Sequence, residues 1–164
     1  MCKRSRQIIQ EIGMKKNWYW LVIGLTGIVG ISLIGKKYIN PVNGVLTSRF
    51  GNRINPITGK SEFHNGVDVQ AASGTPVKSP AAGTVLKVYY NSLGGNQIIV
   101  QHTGLITGYA HLSKYYVTPG EKIQSGHIIG HVGTTGQTTG AHLHFTTAKN
   151  GDLIDPLTLF NFKS

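Results

Sequence analysis

"GAHLHF", residues 140–145, sets two imidazoles two positions apart in a stretch that reads as extended. Side chains on a strand alternate faces, so His142 and His144 share one side and Leu143 and Phe145 the other. The pattern predicts a half-buried strand over 142–148 whose polar face is histidine. At ~3.3 Å per residue the two histidines stand roughly 6.7 Å apart along that strand.

The surrounding chain has the same texture. From Val42 onward, short β-rich runs are broken by glycine, proline and asparagine. Strands are predicted over 45–50, 66–71, 83–91, 96–103, 108–113, 127–133 and 142–148. Helical periodicity is absent after residue 37, apart from a turn at "PLTLF" near the end. The expected fold is mostly β, an antiparallel sheet. Its loops "NRINPITGKSEF" (52–63) and "GTTGQTTG" (133–140) are long enough to wall a cleft.

Other ligand-type residues are available to meet the histidine pair. "FHNGVDV" places His64 and Asp68 four apart, with Gly66 between them to allow an unusual backbone path. These two residues and one imidazole of the later pair make a three-ligand set. Three protein ligands with a fourth position open is the arrangement of catalytic zinc. "GYAHLS" adds His111, a group able to exchange a proton near neutrality. The single cysteine, Cys2, excludes an internal disulfide and a thiolate-built zinc site.

The motifs "HNGVDV", "GYAHLS" and "TTGAHLHF", in this order, resemble the signature of the LytM or lysostaphin-type zinc metallopeptidases of bacterial cell walls. "RFGNRINPITG", "GTPVKSPAAGTV" and "VTPGEKIQSGHIIGHVG" extend the likeness over about residues 42–147. The resemblance implies a LytM-type β domain with a cleft. It implies that His64, Asp68 and His144 hold zinc and that His111 and His142 are the catalytic pair beside it. It further implies metal-assisted hydrolysis of amide bonds in the stem or bridge peptides of peptidoglycan. The division between His111 and His142 stays open, as does the bond cut. Ala141 stands where the family often has proline, and Thr146 where an acidic or amide residue is common. Both departures bear on substrate detail more than on activity.

Charge separates the chain into parts. Residues 1–16 carry five Lys or Arg against Glu11, net +4, and Lys36 and Lys37 add +2. From Asn40 onward nine Lys or Arg oppose five Asp or Glu, leaving +4 of the total +10. With no basic run in the domain, nucleic acid is not an expected partner; a polyanionic polymer or a membrane suits the balance better. Between the basic flanks, residues 17–35 hold no charge, and these 19 residues span about 28 Å as a helix, close to the ~30 Å hydrocarbon layer. Trp18, Tyr19 and Trp20 cluster at one end, where such rings favour the headgroup level. The sequence therefore predicts a basic cytoplasmic N-terminus (1–16), a single-pass transmembrane anchor (17–35), a short linker (36–41) and the peptidase domain (42–164). The stronger positive flank comes first, which places the domain outside, on the periplasmic or cell-wall side. A cleaved signal peptide is the competing reading, although no alanine precedes Ala71 to form an A-x-A site. No long pro-region is expected, and oligomeric state is not legible.

The remaining polar residues have plainer roles. His102 is expected to be structural, and His127 and His131 to meet solvent or a loop. By alternation Tyr109 should share the face of His111, against substrate or in the core. Arg53 lies on the cleft loop as a solvated side chain or a partner for a stem-peptide carboxylate. Asn52 and Asn55 are candidate plugs for the metal site. Two rival functions come from other classes: a catalytically inactive LytM-like binding or activator module, and a lipoyl- or biotinyl-like carrier suggested by "SPAAGTVLKV" and "VTPGEKIQSGHIIG". The carrier reading lacks a lysine in the expected turn and has no use for three histidine motifs.

Overall fold

The computed structural model describes Tyr38–Ser164; the expected cytoplasmic segment and membrane anchor lie outside the described residues. Among the described residues no helix is long and apolar enough to cross a membrane. In chain order the strands are β1 (Val45–Ser48), β2 (Gly51–Ile54), β3 (Ser61–His64), β4 (Val67–Gln70), β5 (Pro76–Lys78) and β6 (Gly83–Asn91). They continue with β7 (Gly95–His102), β8 (Leu105–Tyr115), β9 (Lys122–Ile123), β10 (Ile128–Val132), β11 (His142–Lys149) and β12 (Asp152–Ile154). The main sheet runs β1-β4-β11-β8-β7-β6-β9, with β10 paired to β5 and β8, and β12 paired to β11. The pairings are antiparallel, as the sequence predicts.

The site strand is β11, an interior strand held between β4 and β8. Its alternation is the one read from the sequence: Leu143 and Phe145 are wholly buried, while His142 and His144 are partly exposed. Phe145 packs against the rings of Tyr109, Phe160 and Phe162 at 5.4, 5.0 and 6.3 Å. In β4, Val67 and Val69 enter the same core and turn Asp68 to the opposite face. Burying each large side chain of this kind contributes about 1.5–3 kcal/mol. A slip of one residue in either strand would exchange these apolar groups for histidine and aspartate, so packing fixes the register that builds the site.

Two expectations change in detail. The strand expected over 45–50 stops at Ser48, and the chain re-forms as β2 in a separate two-stranded ribbon with β3. Gly51, at φ +115°, supplies the backbone angle at that break. Half of the expected loop 52–63 is therefore ribbon. Its four-residue strands and polar faces gave too short an alternation to stand out against Pro56 and Gly59. The Asn55 side chain closes the ribbon's turn, its Oδ1 accepting from the backbone N–H of Ile57 and Thr58 at 2.8 and 3.0 Å. The turn expected near "PLTLF" is a 3₁₀ turn at Pro156–Thr158, where the Asp155 carboxylate accepts from the Leu157 N–H.

Gly66 has a different function from the one expected. It is needed for close approach rather than for an unusual dihedral. A Cβ there would lie 2.4 Å from the Phe145 carbonyl oxygen and 2.9 Å from Thr146 Cγ2. The missing side chain lets the turn between His64 and Asp68 lie directly against β11.

Candidate metal and catalytic site

Strand register brings the predicted residues together. His144 is directly opposite Asp68 across the β11–β4 pair and opposite Ala110 across the β11–β8 pair. His64 ends β3 and reaches the same point through the tight Asn65-Gly66 connection. Asp68 Oδ1 stands 2.8 Å from Nδ1 of His144 and 3.2 Å from Nε2 of His64, and the two nitrogens are 3.1 Å apart. This trio can hold a metal ion.

Proton placement makes the fit specific. The outer nitrogen of each ring faces an atom that can only accept: His64 Nδ1 meets the Arg49 carbonyl at 2.8 Å, and His144 Nε2 meets Asn65 Oδ1 at 3.0 Å. Each neutral ring therefore donates outward and turns a lone pair inward. Two lone pairs and a carboxylate oxygen then face one another with no proton between them, an arrangement that a cation relieves. Their separations also suit the ion, because a tetrahedral metal with bonds of ~2.0–2.1 Å puts its donors roughly 3.3 Å apart. Without a cation, burial works against charge on Asp68, and a proton on the inward nitrogen of His144 or His64 takes the cation's place, outweighs burial and holds the carboxyl well below the usual range. His144 is shifted down, chiefly by burial.

The second pair of histidines lies beside this trio. The rings of His111 and His142 are 4.7 Å apart, and His111 is 6.1 Å from His144. His142 Nε2 comes to 3.7 Å from Asp68 Oδ1, farther than either ring nitrogen of the trio. Each ring is again fixed by its other nitrogen: His142 Nδ1 donates to the Gly140 carbonyl at 2.9 Å and His111 Nδ1 to the Thr135 carbonyl at 2.8 Å. The loop read as a cleft wall, 133–140, thus supplies both acceptors. Thr138 Oγ1 adds a 3.1 Å contact to His142 Nδ1.

His111 reaches the cleft by breaking the strand's alternation. Opposite it, β7 passes from Asn96 (facing Leu112) to Ile98 (facing Tyr109), so Gln97 opposes both Ala110 and His111. This is a β-bulge, and His111 has φ 62° within it. A non-glycine residue there carries strain of order 1–3 kcal/mol, which surrounding contacts must hold. The His111 N–H bond to the Gly94 carbonyl at 2.7 Å and the Thr135 contact do so. The bulge also corrects the expectation that Tyr109 shares the His111 face. Tyr109 is 2% exposed and packs on Phe145, while His111 faces His142.

Burial lowers the His111 pKa to about 4, with the nearby His142 and His144 adding to the effect and the Thr135 bond and Asp68 opposing it. The folded chain therefore resists a proton that the unfolded chain accepts below about 6.5. The contribution of His111 to stability is fully present above that pH and is lost as pH falls towards 4. His144, also lowered, acts in the same direction. Denaturant titrations of metal-free protein should show unfolding free energy falling across this window, and less steeply in His111→Gln. An equal slope in the variant would contradict the assignment.

Other residues fall into place around the site. His102 is structural, its ring joining the Ala82 carbonyl and the Thr107 hydroxyl at 3.1 and 2.9 Å. His127 is exposed, and His131 contacts the Tyr116 hydroxyl at 3.1 Å. Asn52 is exposed on the opposite ribbon face from Arg53, and Asn55 is engaged by its own turn and by Glu62. Neither asparagine plugs the trio. Arg53 is not a freely solvated side chain: it bonds Asp68, Glu62 and Ser48. Asn65 is the site residue that sequence reasoning missed, and Arg53, expected on the cleft loop, bonds Asp68 instead of standing in solvent. Asn65 sits inside "HNGVD", but its role depends on where β11 crosses.

Comparison with known proteins agrees with this geometry. The family described as "Peptidase family M23" matches residues 62–156. The peptidoglycan DD-endopeptidase ShyC of Vibrio cholerae is 39% identical over 108 residues, covering 65% of this chain and 25% of that protein. The DD-carboxypeptidase/endopeptidase Mpg of Neisseria meningitidis is 36% identical over 115 residues, covering 70% of this chain and 26% of that protein. The chain thus spans about a quarter of the length of these curated relatives. Among solved structures, the catalytic domain of the antimicrobial peptidase lysostaphin from Staphylococcus simulans matches with TM-score 0.65 and 34% identity, covering 70% of this chain and 90% of that one. A zinc-containing peptidase from Vibrio cholerae matches with TM-score 0.66 and 28% identity, over 79% of this chain and 40% of that one. The fold is the LytM type expected from the motifs.

Proposed function

The chain belongs to peptidase family M23, and from that premise we propose that it is a zinc-dependent endopeptidase that hydrolyses peptide cross-links of bacterial peptidoglycan. The observation that carries the proposal is the pairing of a proton-free donor trio, His64, Asp68 and His144, with two oriented histidines beside it. Bound zinc would supply a Lewis acid for the scissile carbonyl and acidify water at neutral pH.

The chain's own groups divide the remaining work. With their Nδ1 protons held by Gly140 and Thr135, His142 and His111 each present Nε2 as a free lone pair. One of these atoms accepts a proton from the attacking water. As an Nε2–H it can then donate to the charge developing on the carbonyl oxygen and pass the proton to the leaving amine, while the lone pair of the other accepts a hydrogen bond from the water and orients it. The low proton affinity of His111 keeps its free ring neutral at pH 7.

Digesting peptidoglycan of two chemotypes, one cross-linked directly and one through glycine bridges, tests substrate and bond together. Mass analysis should show cross-linked dimers converted to monomers in one of them. The same products in neither chemotype would leave a binding or activator module as the better account.

We further propose that residues 17–35 anchor the chain in the membrane with residues 1–16 in the cytoplasm and the peptidase domain outside. The uncharged 19-residue run, its aromatic end and its basic flank support this reading. The full-length chain should remain with membranes through alkaline carbonate washing and leave only with detergent. Release by carbonate would contradict the anchor.

A further inference from the structure

The guanidinium of Arg53 is the centre of a polar chain that ends on the proposed metal ligand Asp68. Its Nη1 donates to Asp68 Oδ2 at 2.9 Å and to Ser48 Oγ at 2.6 Å, and its Nε donates to Glu62 Oε1 at 3.0 Å. The other Glu62 oxygen, Oε2, accepts from Asn55 Nδ2 at 2.7 Å. Asn55 in turn closes the β2–β3 ribbon through its Oδ1. Ribbon register explains the geometry, since Arg53 and Glu62 are directly opposite each other on the face that also carries His64.

Asp68 is thereby divided between two partners. Oδ1 faces the two histidine nitrogens, whereas Oδ2 is tied to Arg53. A carboxylate free of Arg53 could turn both oxygens to a cation. One tied to it offers a single oxygen, which keeps the protein's donor count at three and a position open for water and substrate. Resting on the metallopeptidase reading above, we propose that Arg53 is a positioning residue that holds Asp68 to one-oxygen ligation and transmits the integrity of the β2–β3 ribbon to the metal site. Arg53 does not touch substrate in this account; it acts through Asp68. Lysine would not replace it, because one ammonium cannot reproduce the fork that engages Asp68, Ser48 and Glu62 together.

The test is metal affinity, read apart from catalysis. Full-length wild-type, Arg53→Gln and Arg53→Lys proteins are titrated with zinc against a competing chelator, and cobalt substitution reports coordination through its visible spectrum. Removing an outer-shell partner of a metal ligand lowers affinity by roughly 10–100-fold, and that loss is expected for Arg53→Gln with only partial recovery in Arg53→Lys. The cobalt bands should weaken as coordination number rises. Glu62→Gln, which keeps the Arg53 contact to Asp68 but loosens its far end, guards against a variant that fails to fold. It should shift zinc affinity in the same direction by a smaller factor. Wild-type affinity and an unchanged cobalt spectrum in Arg53→Gln, or in Glu62→Gln should the first not fold, would overturn the proposal. A wild-type protein that binds zinc but cleaves no peptidoglycan would instead overturn the substrate assignment and leave this inference standing.

Discussion

His144→Ala is expected to remove both stoichiometric zinc and peptidoglycan cleavage. The substitution deletes the central donor of the trio, the one whose Nδ1 lies within 3.1 Å of both other ligand atoms. What remains, His64 and Asp68, is one nitrogen and one oxygen with no third protein donor. Affinity should fall well beyond the ~10–100-fold that follows removal of an outer-shell partner. The fold should survive, because His144 projects from the site face of β11 while Leu143 and Phe145 carry its core packing. Metal analysis together with circular dichroism checks both halves. A folded variant that keeps one zinc per chain would remove His144 from the ligand set.

His142→Ala and His111→Ala should give the opposite combination, metal retained and turnover lost. Neither ring nitrogen belongs to the trio, and each is oriented by a loop carbonyl rather than by a ligand. Loss of a positioned proton-transfer group lowers rates by ~10²–10⁴-fold, and kcat rather than zinc content should carry that loss. The two variants differ in stability. His111→Ala removes a residue held at φ 62°, a strained position, together with its Thr135 bond, so its thermal midpoint is the more sensitive. Loss of zinc in either variant would show that the division between ligands and proton carriers is wrong.

The parts of this site that were legible in sequence are those fixed by period and by contiguous motif. Alternation alone places His142 and His144 on one face and Leu143 and Phe145 in the core, and the motifs supply His64, Asp68 and His111. The parts that were not legible depend on contacts across the sheet. The bulge that separates His111 from Tyr109 arises from a register shift against β7, some fifteen residues earlier in the chain. Asn65 orients His144 only because the Gly66 turn lies against β11. Arg53 reads as a surface arginine because the ribbon that turns it inward is two four-residue strands around a proline and a glycine. Long-range pairing decides each of these, and no local pattern carries it.

The most direct measurement joins metal and chemistry in one sample. Native mass spectrometry of the full-length chain, paired with digestion of purified cross-linked muropeptide dimers of the direct and glycine-bridged chemotypes, is followed before chelation, after chelation and after zinc is restored. The account predicts one zinc per chain, conversion of dimer to monomers, loss of both on chelation and return of both with zinc. A zinc-free chain that still cleaves the dimer, or a zinc-loaded chain that cleaves neither chemotype, would contradict it.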